Sequence, residues 1–243
     1  MALGRGALTG HFHDAVPSMM DPVHPFITPL HSTFKRHANA ENATAMCAYM
    51  KGHFPFFGIK TPQRRELMKE HMALFGVPEI DELPAIARSA FAFPEREVHH
   101  VAIDLLIKNA KKLNPDHLPL LEELITTKSW WDSVDALAVH ALGTILKKYP
   151  REITKWNKRW TNSSNMWLNR TSILFQLRWK CDTDMDLLFA NIDRHAKSQE
   201  FFIRKAIGWS LRELGATDPN AVRSFVASRK LSPLSTREAL RKL

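Results

Sequence analysis

Apolar residues spaced three and four positions apart run through the sequence from Pro25 onward, and this periodicity constrains the fold more than any other feature. Pairs that contain proline interrupt it and leave segments of about 10 to 16 residues, a length typical of single helices. Alternating strand-like runs and the hairpin signals Asn-Gly and Asp-Gly do not occur. The sequence therefore predicts an all-α fold of helix, short turn and helix. The interruptions lie at Phe54-Pro55, Thr61-Pro62, Val77-Pro78, Phe93-Pro94, Asn114-Pro115, Tyr149-Pro150 and Asp218-Pro219.

Two helical segments are weakly similar to each other at an offset of 34 residues, LNRTSILFQLR at 168–178 and FIRKAIGWSLR at 202–212. The alignment places Arg178 opposite Arg212 and also matches apolar positions. A period of this length is typical of arrays of helix pairs, in which the second helix of each pair lines a concave surface. We therefore predict an α-solenoid of HEAT-like helical repeats with a concave basic groove.

Polar residues recur at one position of successive predicted helices. Asp135 lies about one repeat period before Arg170, and His100 lies about one period before Asp135. These side chains would therefore face the same groove. Because Asp135 and Arg170 occupy the same register of neighbouring helix pairs, a direct contact between their charges has to be considered together with any function.

The charge balance favours a polyanionic partner. There are 34 Lys and Arg residues against 25 Asp and Glu residues, which gives a formal net charge of +9. A basic protein that neutralises phosphates releases their bound counterions, so DNA or RNA is the expected ligand. Many basic proteins are simply soluble, however, and the charge alone does not define a site.

Cysteine usage and hydropathy favour a reducing, intracellular setting such as the cytoplasm. Cys47 and Cys181 lie far apart and outside any C-x-x-C spacing, which favours neither a disulfide framework nor a zinc site. No apolar run approaches the roughly 20 residues that a bilayer-spanning helix needs. Residues 1–20 read poorly as a secretory signal and are expected to be a flexible extension or a mis-assigned start. Residues 21–243 are predicted to form a single domain.

The segment TKSWWDSVD at 127–135 opens a predicted helix and contains two acidic residues with different surroundings. Ser129 and Asp132 have the spacing of a capping box, which predicts a structural role for Asp132. Asp135 lies one turn after Trp131 on an otherwise apolar helix. Two interpretations of Asp135 stay open: a structural residue, solvated or paired with Arg170, and a functional carboxylate.

Arg170 and Trp209 are the other residues that stand out from their helices. Arg170 lies in an apolar stripe and is placed to bind a phosphate or a carboxylate. Trp209 lies off the core stripe of its helix, near Lys205 and Arg212, which is typical of a binding surface. Packing of Trp209 against the next helix pair is an equally good interpretation. The neighbouring Gly208 invites a close approach by another group.

Basic residues around Lys60 form another candidate site. Thr61 is predicted to cap a helix that begins at Pro62, with free backbone N–H groups to which a phosphate could dock. The histidines lack further ligands at metal spacing, and no Gly-rich phosphate loop, Ser-His-Asp signature or H-E-x-x-H motif is present. We expect no metal and no cofactor.

Four segments together closely resemble the AlkD-type DNA alkylation repair enzymes. They are YMKGHFPFFGIKTPQRREL (49–67), TKSWWDSVD (127–135), WLNRTSILFQLRWK (167–180) and EFFIRKAIGWSLRE (200–213), within a similarity that runs from about Pro25 to Leu243. The resemblance implies a HEAT-like repeat monofunctional DNA glycosylase that excises cationic N3- and N7-alkylated purines, such as 3-methyladenine and 7-methylguanine, from duplex DNA. It also implies excision without base flipping, unlike most glycosylases.

The resemblance also implies roles for individual residues. The family's catalytic carboxylate falls on Asp135, its two lesion-flanking tryptophans on Trp131 and Trp209, and its essential arginine on Arg170. The carboxylate and tryptophans would stabilise positive charge on the deoxyribose, and Arg170 would hold a nearby phosphate.

The family's DNA contacts fall on Tyr49, Thr61 and Arg212, and Lys60 stands where glutamine is usual. The expected partner is therefore duplex DNA that contains alkylated bases, bound by a monomer. Some HEAT-like relatives lack the carboxylate and tryptophans and bind DNA without excision. A non-catalytic module for damaged or branched DNA and a protein-binding scaffold therefore stay as alternatives.

Overall fold

The computed structural model describes residues 23–243, and over this range it contains helices and their connections without any strand. The predicted all-α fold is confirmed, while the predicted extension at residues 1–20 lies outside the described residues. None of the described helices is long and apolar enough to span a membrane. The helices are α1 (Ile27–Arg36), α2 (Ala40–Tyr49), α3 (Thr61–Phe75), α4 (Leu83–Ala92), α5 (Arg96–Lys108), α6 (Leu118–Thr126), α7 (Trp131–Ala136), α8 (Gly143–Lys148), α9 (Ile153–Thr161), α10 (Met166–Leu174), α11 (Met185–His195), α12 (Phe201–Leu214), α13 (Pro219–Ser228) and α14 (Pro233–Ala239).

Helix pairs repeat along the chain from α4 onward. The second helices of successive pairs are α5, the continuous helix that α7 and α8 form, α10 and α12, and they begin at Arg96, Trp131, Met166 and Phe201. Their starts are 35 residues apart, one more than the offset found by comparing the sequences. The structure confirms the predicted α-solenoid of helical repeats.

Proline and side-chain caps explain where the helices begin. Each predicted interruption lies between two helices or in a first turn, as for Asp218, whose carboxylate accepts a hydrogen bond from the Ala221 amide at 2.9 Å. Breaks without proline also occur, and Asn165 caps α10 through the Trp167 amide at 2.8 Å. Side-chain caps therefore also mark helix starts where proline is absent.

A π-helical segment, Leu137–Leu142, joins α7 to α8 and was not predicted. A π turn contains one more residue than an α turn, and such turns are frequent at functional sites. Immediately after it, the backbone of Gly143 packs on the next repeat: a Cβ built at Gly143 would lie 2.2 Å from the Phe175 carbonyl oxygen. The indole of Trp179 donates a hydrogen bond to the Gly143 carbonyl at 3.1 Å. The long helix therefore contacts the following repeat through its backbone.

The hydrophobic core consists of two clusters that meet at α10. Leu168 and Phe175 belong to the cluster that extends from the first helices, whereas Ile173 and Leu174 belong to the C-terminal cluster. Neighbouring repeats therefore share buried surface instead of having separate cores, as expected for a solenoid. The single domain over residues 21–243 stays a prediction.

Polar side chains about one repeat apart join successive second helices. Arg96 donates to both carboxylate oxygens of Asp132 at 2.9 and 2.6 Å, and His100 contacts Asp132 at 2.8 Å. The predicted capping box is therefore wrong, because Asp132 bonds to the preceding repeat and the Ser129 hydroxyl donates to the Ile125 carbonyl. Trp130 occupies the N-cap position without a side-chain hydrogen bond.

Replacement of Gly143 by alanine tests this close packing between repeats. Both Gly143 and Gly215 have helical backbone angles that alanine accepts, but only Gly143 faces a backbone carbonyl at 2.2 Å. We expect Gly143→Ala to lower the free energy of unfolding by about 1–3 kcal/mol in urea titrations, as overpacking does. Gly215→Ala is the control, since it meets the movable end of the Leu243 side chain. Equal stability of the Gly143 variant and the wild type would contradict the packing.

Candidate functional site

Asp135 and Arg170 form a bidentate ion pair between two successive repeats. Arg170 Nε donates to Oδ1 and Nη2 to Oδ2 of Asp135, both at 2.7 Å. The contact anticipated from their shared register is therefore present. The Asp135 side chain keeps 20% of its surface exposed, whereas that of Arg170 keeps 1%. The pair therefore presents its negative end to solvent and its positive end to the protein interior.

Arg170 is held from three sides. Its Nη1 donates to the Phe202 carbonyl at the start of α12, and its guanidinium carbon lies 5.2 Å from the ring centroid of Trp209. These contacts connect α7, α10 and α12. Arg170 is buried and its donors point at Asp135 and Phe202, so it contacts a carboxylate and a carbonyl here, and its expected role in holding a phosphate stays a prediction.

The ionisation of Asp135 depends on its arginine partner. Burial raises the pKa of the Asp135 carboxyl, because desolvation disfavours the charged form. The hydrogen bonds and charge of Arg170 oppose that shift, whereas the nearby carboxylate of Asp132 adds to it. Removing the guanidinium would therefore raise the pKa of Asp135 further.

Asp132 differs from Asp135 although both are largely buried acids on α7. Burial acts to raise its pKa, but the hydrogen bonds from His100 and Arg96 outweigh this and hold the pKa of Asp132 well below its usual range. Its partners thus favour the ionised form of Asp132. His100, which was expected to line the groove, is committed to Asp132 by its ring nitrogen.

Aromatic residues surround the ion pair on two sides. Trp131 lies one turn before Asp135 on α7 and meets the Tyr49 ring edge-on at a centroid distance of 5.9 Å. Tyr49, the last residue of α2, is 68% exposed. Trp209 approaches from α12, and the Lys205 ammonium lies 5.3 Å from its ring. The structure therefore brings both tryptophans and Tyr49 to the region of Asp135.

Gly208 and Arg212, which lie near Trp209 on α12, contact α14. A Cβ on Gly208 would lie 2.4 Å from Glu238 Cβ, so the group that approaches this glycine closely belongs to α14. Glu238 pairs with Lys205 at 3.0 Å and with Arg212 at 2.8 Å. Hydrogen bonds from these cations lower the pKa of Glu238. Arg212, an expected DNA contact, is thus half-buried and shares the single carboxylate of Glu238 with Lys205, and its contact with DNA stays a prediction.

Lys60 and Thr61 lie apart from this group, at the start of α3. The helix begins at Thr61 with Lys60 as its N-cap, and no side-chain capping bond is formed. The expected cap by Thr61 is therefore wrong by one position. Both side chains are exposed, and among the described residues no hydrogen bond or ion pair joins them to Asp135 or Arg170. Their role as DNA contacts stays a prediction.

An aromatic group behind the ion pair was not anticipated from the sequence. The Trp130 ring lies 3.9 Å from that of His53 and 5.1 Å from that of Phe202, and Trp167 packs on the same phenylalanine at 5.0 Å. These rings come from three repeats and from the segment before α3. Trp167 and Phe202 are the second residues of α10 and α12, one repeat apart, so the repeat period could have related these two, whereas His53 lies before the first of these repeats. Over residues 23–243, no group of three potential metal ligands occurs.

Comparison with known proteins identifies the family. A family model described as "DNA alkylation repair enzyme" matches residues 30–243. A solved structure described as a "Predicted DNA alkylation repair enzyme from Enterococcus faecalis" is 33% identical, with a TM-score of 0.79, and the match covers 85% of this chain and 96% of that one. The structure of smu.31 from Streptococcus mutans UA159, 17% identical with a TM-score of 0.57 and coverage of 74% and 92%, shows a likeness of fold alone. No curated protein sequence matches. This chain belongs to the DNA alkylation repair enzyme family.

Proposed function

We propose that this protein is a monofunctional DNA glycosylase, which hydrolyses the N-glycosidic bond of cationic N3- and N7-alkylated purines in duplex DNA without base flipping. The observation that carries the proposal is the oriented Asp135–Arg170 pair, with its carboxylate toward the groove and its guanidinium buried. An ion pair that served stability alone would not need its negative end exposed beside two tryptophans. The family membership supports a substrate of alkylated DNA.

The chemistry of the substrate defines what the site has to do. In 7-methylguanine the base already carries a positive charge, so the bond from C1′ to N9 breaks without protonation of the leaving group. The bonding electron pair moves to N9, which neutralises the base and leaves positive charge on the deoxyribose. Water then attacks C1′ and loses a proton. Catalysis therefore consists mainly in stabilising a transient cation on the sugar.

Asp135 is the group suited to that task. Its carboxylate oxygens each accept one bond from Arg170 and keep lone pairs for a water molecule or for the sugar cation. Because the Arg170 charge lies on the buried side, the pair acts on the groove as a dipole with its negative end outward. The faces of Trp131 and Trp209 supply further electron-rich surface to the same cation.

A non-catalytic DNA-binding protein is the second candidate. Both carboxylate oxygens of Asp135 are already bonded to Arg170, which is also the arrangement of a structural ion pair between repeats. The two functions differ in one product. A glycosylase releases free alkylated base from methylated duplex DNA, and a binding protein releases none above a heat-treated blank.

Replacing Asp135 by asparagine removes the charge and keeps the shape. We expect single-turnover excision of 7-methylguanine to fall by about 10²-fold or more, the range for removing one group that stabilises transition-state charge. The matched control is Asp186→Asn, since Asp186 is exposed on α11, the first helix of its pair. Excision at a near-normal rate by the Asp135 variant would contradict the proposed mechanism.

Replacing Arg170 by glutamine tests the role of the arginine in ionisation. The active form of Asp135 is the carboxylate, and loss of Arg170 raises its pKa, so activity should fall at a higher pH than in the wild type as the solution is acidified. Profiles of the excision rate against pH, measured from acid to mildly alkaline conditions, check this shift. Arg170→Lys keeps the charge and should shift the profile less.

A purely structural role of Arg170 predicts a different pH profile. If the Arg170→Gln variant lost activity equally at every pH, and if alkaline conditions restored none of it, Arg170 would act on packing and not on the carboxylate. Far-ultraviolet circular dichroism shows in parallel whether the variant is folded, because breaking a buried ion pair can cost about 3–5 kcal/mol.

A further inference from the structure

Trp209 is bordered by a group of charges that α12 and α14 form together. Lys205, Trp209 and Arg212 share one face of α12, since they lie at helical spacing. Glu238 on α14 contacts the Lys205 ammonium at 3.0 Å and the Arg212 guanidinium at 2.8 Å. The three charged side chains, which we call the α12–α14 charge cluster, are between 10% and 24% exposed. With two positive charges and one negative charge, the cluster has a net charge of +1.

The position of the Glu238 carboxylate depends on a glycine. A Cβ built at Gly208, the residue before Trp209, would lie 2.4 Å from Glu238 Cβ and 3.0 Å from the Ser235 carbonyl oxygen. Any side chain at Gly208 would therefore displace α14. Because Glu238 lies directly against the α12 backbone here, its carboxylate meets one cation a turn before Gly208 and another a turn after it.

The charge cluster contacts the proposed site through the Trp209 indole. The Lys205 ammonium lies 5.3 Å from the ring centroid, and the guanidinium carbon of Arg170 lies 5.2 Å from it. Asp135 neutralises the charge of Arg170, one acid for one cation. Glu238, in contrast, is shared between Lys205 and the second cation of the cluster. Positive charge is therefore in excess within the cluster, although not within the Asp135 pair.

Excess positive charge beside Trp209 has opposite effects on two parts of the proposed substrate. It attracts the phosphate backbone, whereas it repels the cationic base and the positive charge that forms on the deoxyribose. The repulsion matters most at Trp209, because the face of this ring is proposed to meet the sugar cation. An acid that compensates one of the two cations reduces the repulsion without touching the substrate.

We propose that Glu238 is a positioning residue, which holds Lys205 and Arg212 and offsets their charge so that the site favours a cationic sugar over a neutral one. The inference rests on the proposed function and deepens it, because it assigns part of the preference for a cation to a residue that acts through its neighbours. A hydrogen bond from Lys205 lowers the pKa of Glu238, which favours the charged form that this role requires.

The test is the ratio of the affinities for two duplexes that differ at one sugar. One deoxyribose is replaced by a cationic pyrrolidine in the first duplex and by a neutral tetrahydrofuran in the second. Because both duplexes have the same phosphates, the contribution of the backbone cancels in the ratio. Glu238→Gln keeps the shape of the side chain and raises the net charge of the cluster from +1 to +2. It should lower the preference for the cationic duplex by about 3- to 10-fold, as expected for one added charge near a partly solvated site.

Glu213→Gln is the matched control. Glu213 is an exposed acid on α12, and its replacement changes the total charge of the protein by the same amount. Solvent and salt screen exposed charges, so this variant should keep the wild-type preference at physiological ionic strength. If the control lost as much preference as Glu238→Gln, the total charge alone would be responsible, and the role of Glu238 would be contradicted.

Variants at Lys205 separate charge from packing. Lys205→Gln lowers the net charge of the cluster to 0 and should raise the preference for the cationic duplex. The double variant Lys205→Gln with Glu238→Gln has the wild-type net charge of +1 and should recover the preference that Glu238→Gln loses. If Glu238 acted on packing alone, the double variant would lose a further contact and recover nothing. Lys205→Gln leaves Glu238 in place, so it tests the charge even if Glu238→Gln does not fold.

Two further results would overturn the inference, an unchanged preference in Glu238→Gln and a preference that does not rise in Lys205→Gln. The wild type distinguishes this failure from that of the proposed function. If the wild type does not prefer the cationic duplex, the proposed mechanism fails, and the role of Glu238 fails with it. If the wild type prefers it and Glu238→Gln does so equally, only the role of Glu238 is contradicted.

Discussion

The arrangement of the site depends on one interaction, the burial of the Arg170 guanidinium between repeats. A guanidinium that is 1% exposed must be neutralised and hydrogen-bonded, and Asp135 and the Phe202 carbonyl supply this. The same contacts tie α7, α10 and α12 together and set the direction of the carboxylate. Stability and the proposed chemistry therefore use the same atoms, and a change at Arg170 must affect both.

Neighbouring repeats use the same device for different purposes. Arg96 and Asp132 form an ion pair like that of Arg170 and Asp135, but Asp132 also receives His100, and its side chain is only 6% exposed. The charge of Asp132 is neutralised by contacts that join two repeats. Asp135 lacks the third partner, and its side chain is 20% exposed. A difference of one hydrogen-bond donor separates a structural acid from a candidate catalytic one.

Much of the fold and part of the site could be predicted from the sequence. Apolar periodicity and proline gave the helices, and the repeat period placed Asp135 opposite Arg170, because both features follow from local sequence. The π-helical segment, the Phe202 carbonyl and the pairing of Arg212 with Glu238 could not be predicted. The Phe202 acceptor is a backbone carbonyl, which every residue type has, so the sequence does not mark it. Glu238 meets Arg212 because α14 packs against α12, and no regular spacing in the sequence predicts that packing. The capping box failed because a tertiary ion pair competed for Asp132.

In the proposed mechanism, Asp135 presents negative charge to a cation that forms on the deoxyribose. Transition-state analogues bind more tightly than neutral mimics when a site is complementary to the developing charge. The most direct measurement compares the affinities for two duplexes, one with a cationic pyrrolidine and one with a neutral tetrahydrofuran in place of the same deoxyribose. We expect the wild type to prefer the cationic duplex and Asp135→Asn to lose most of this preference. The same preference in both proteins would contradict it.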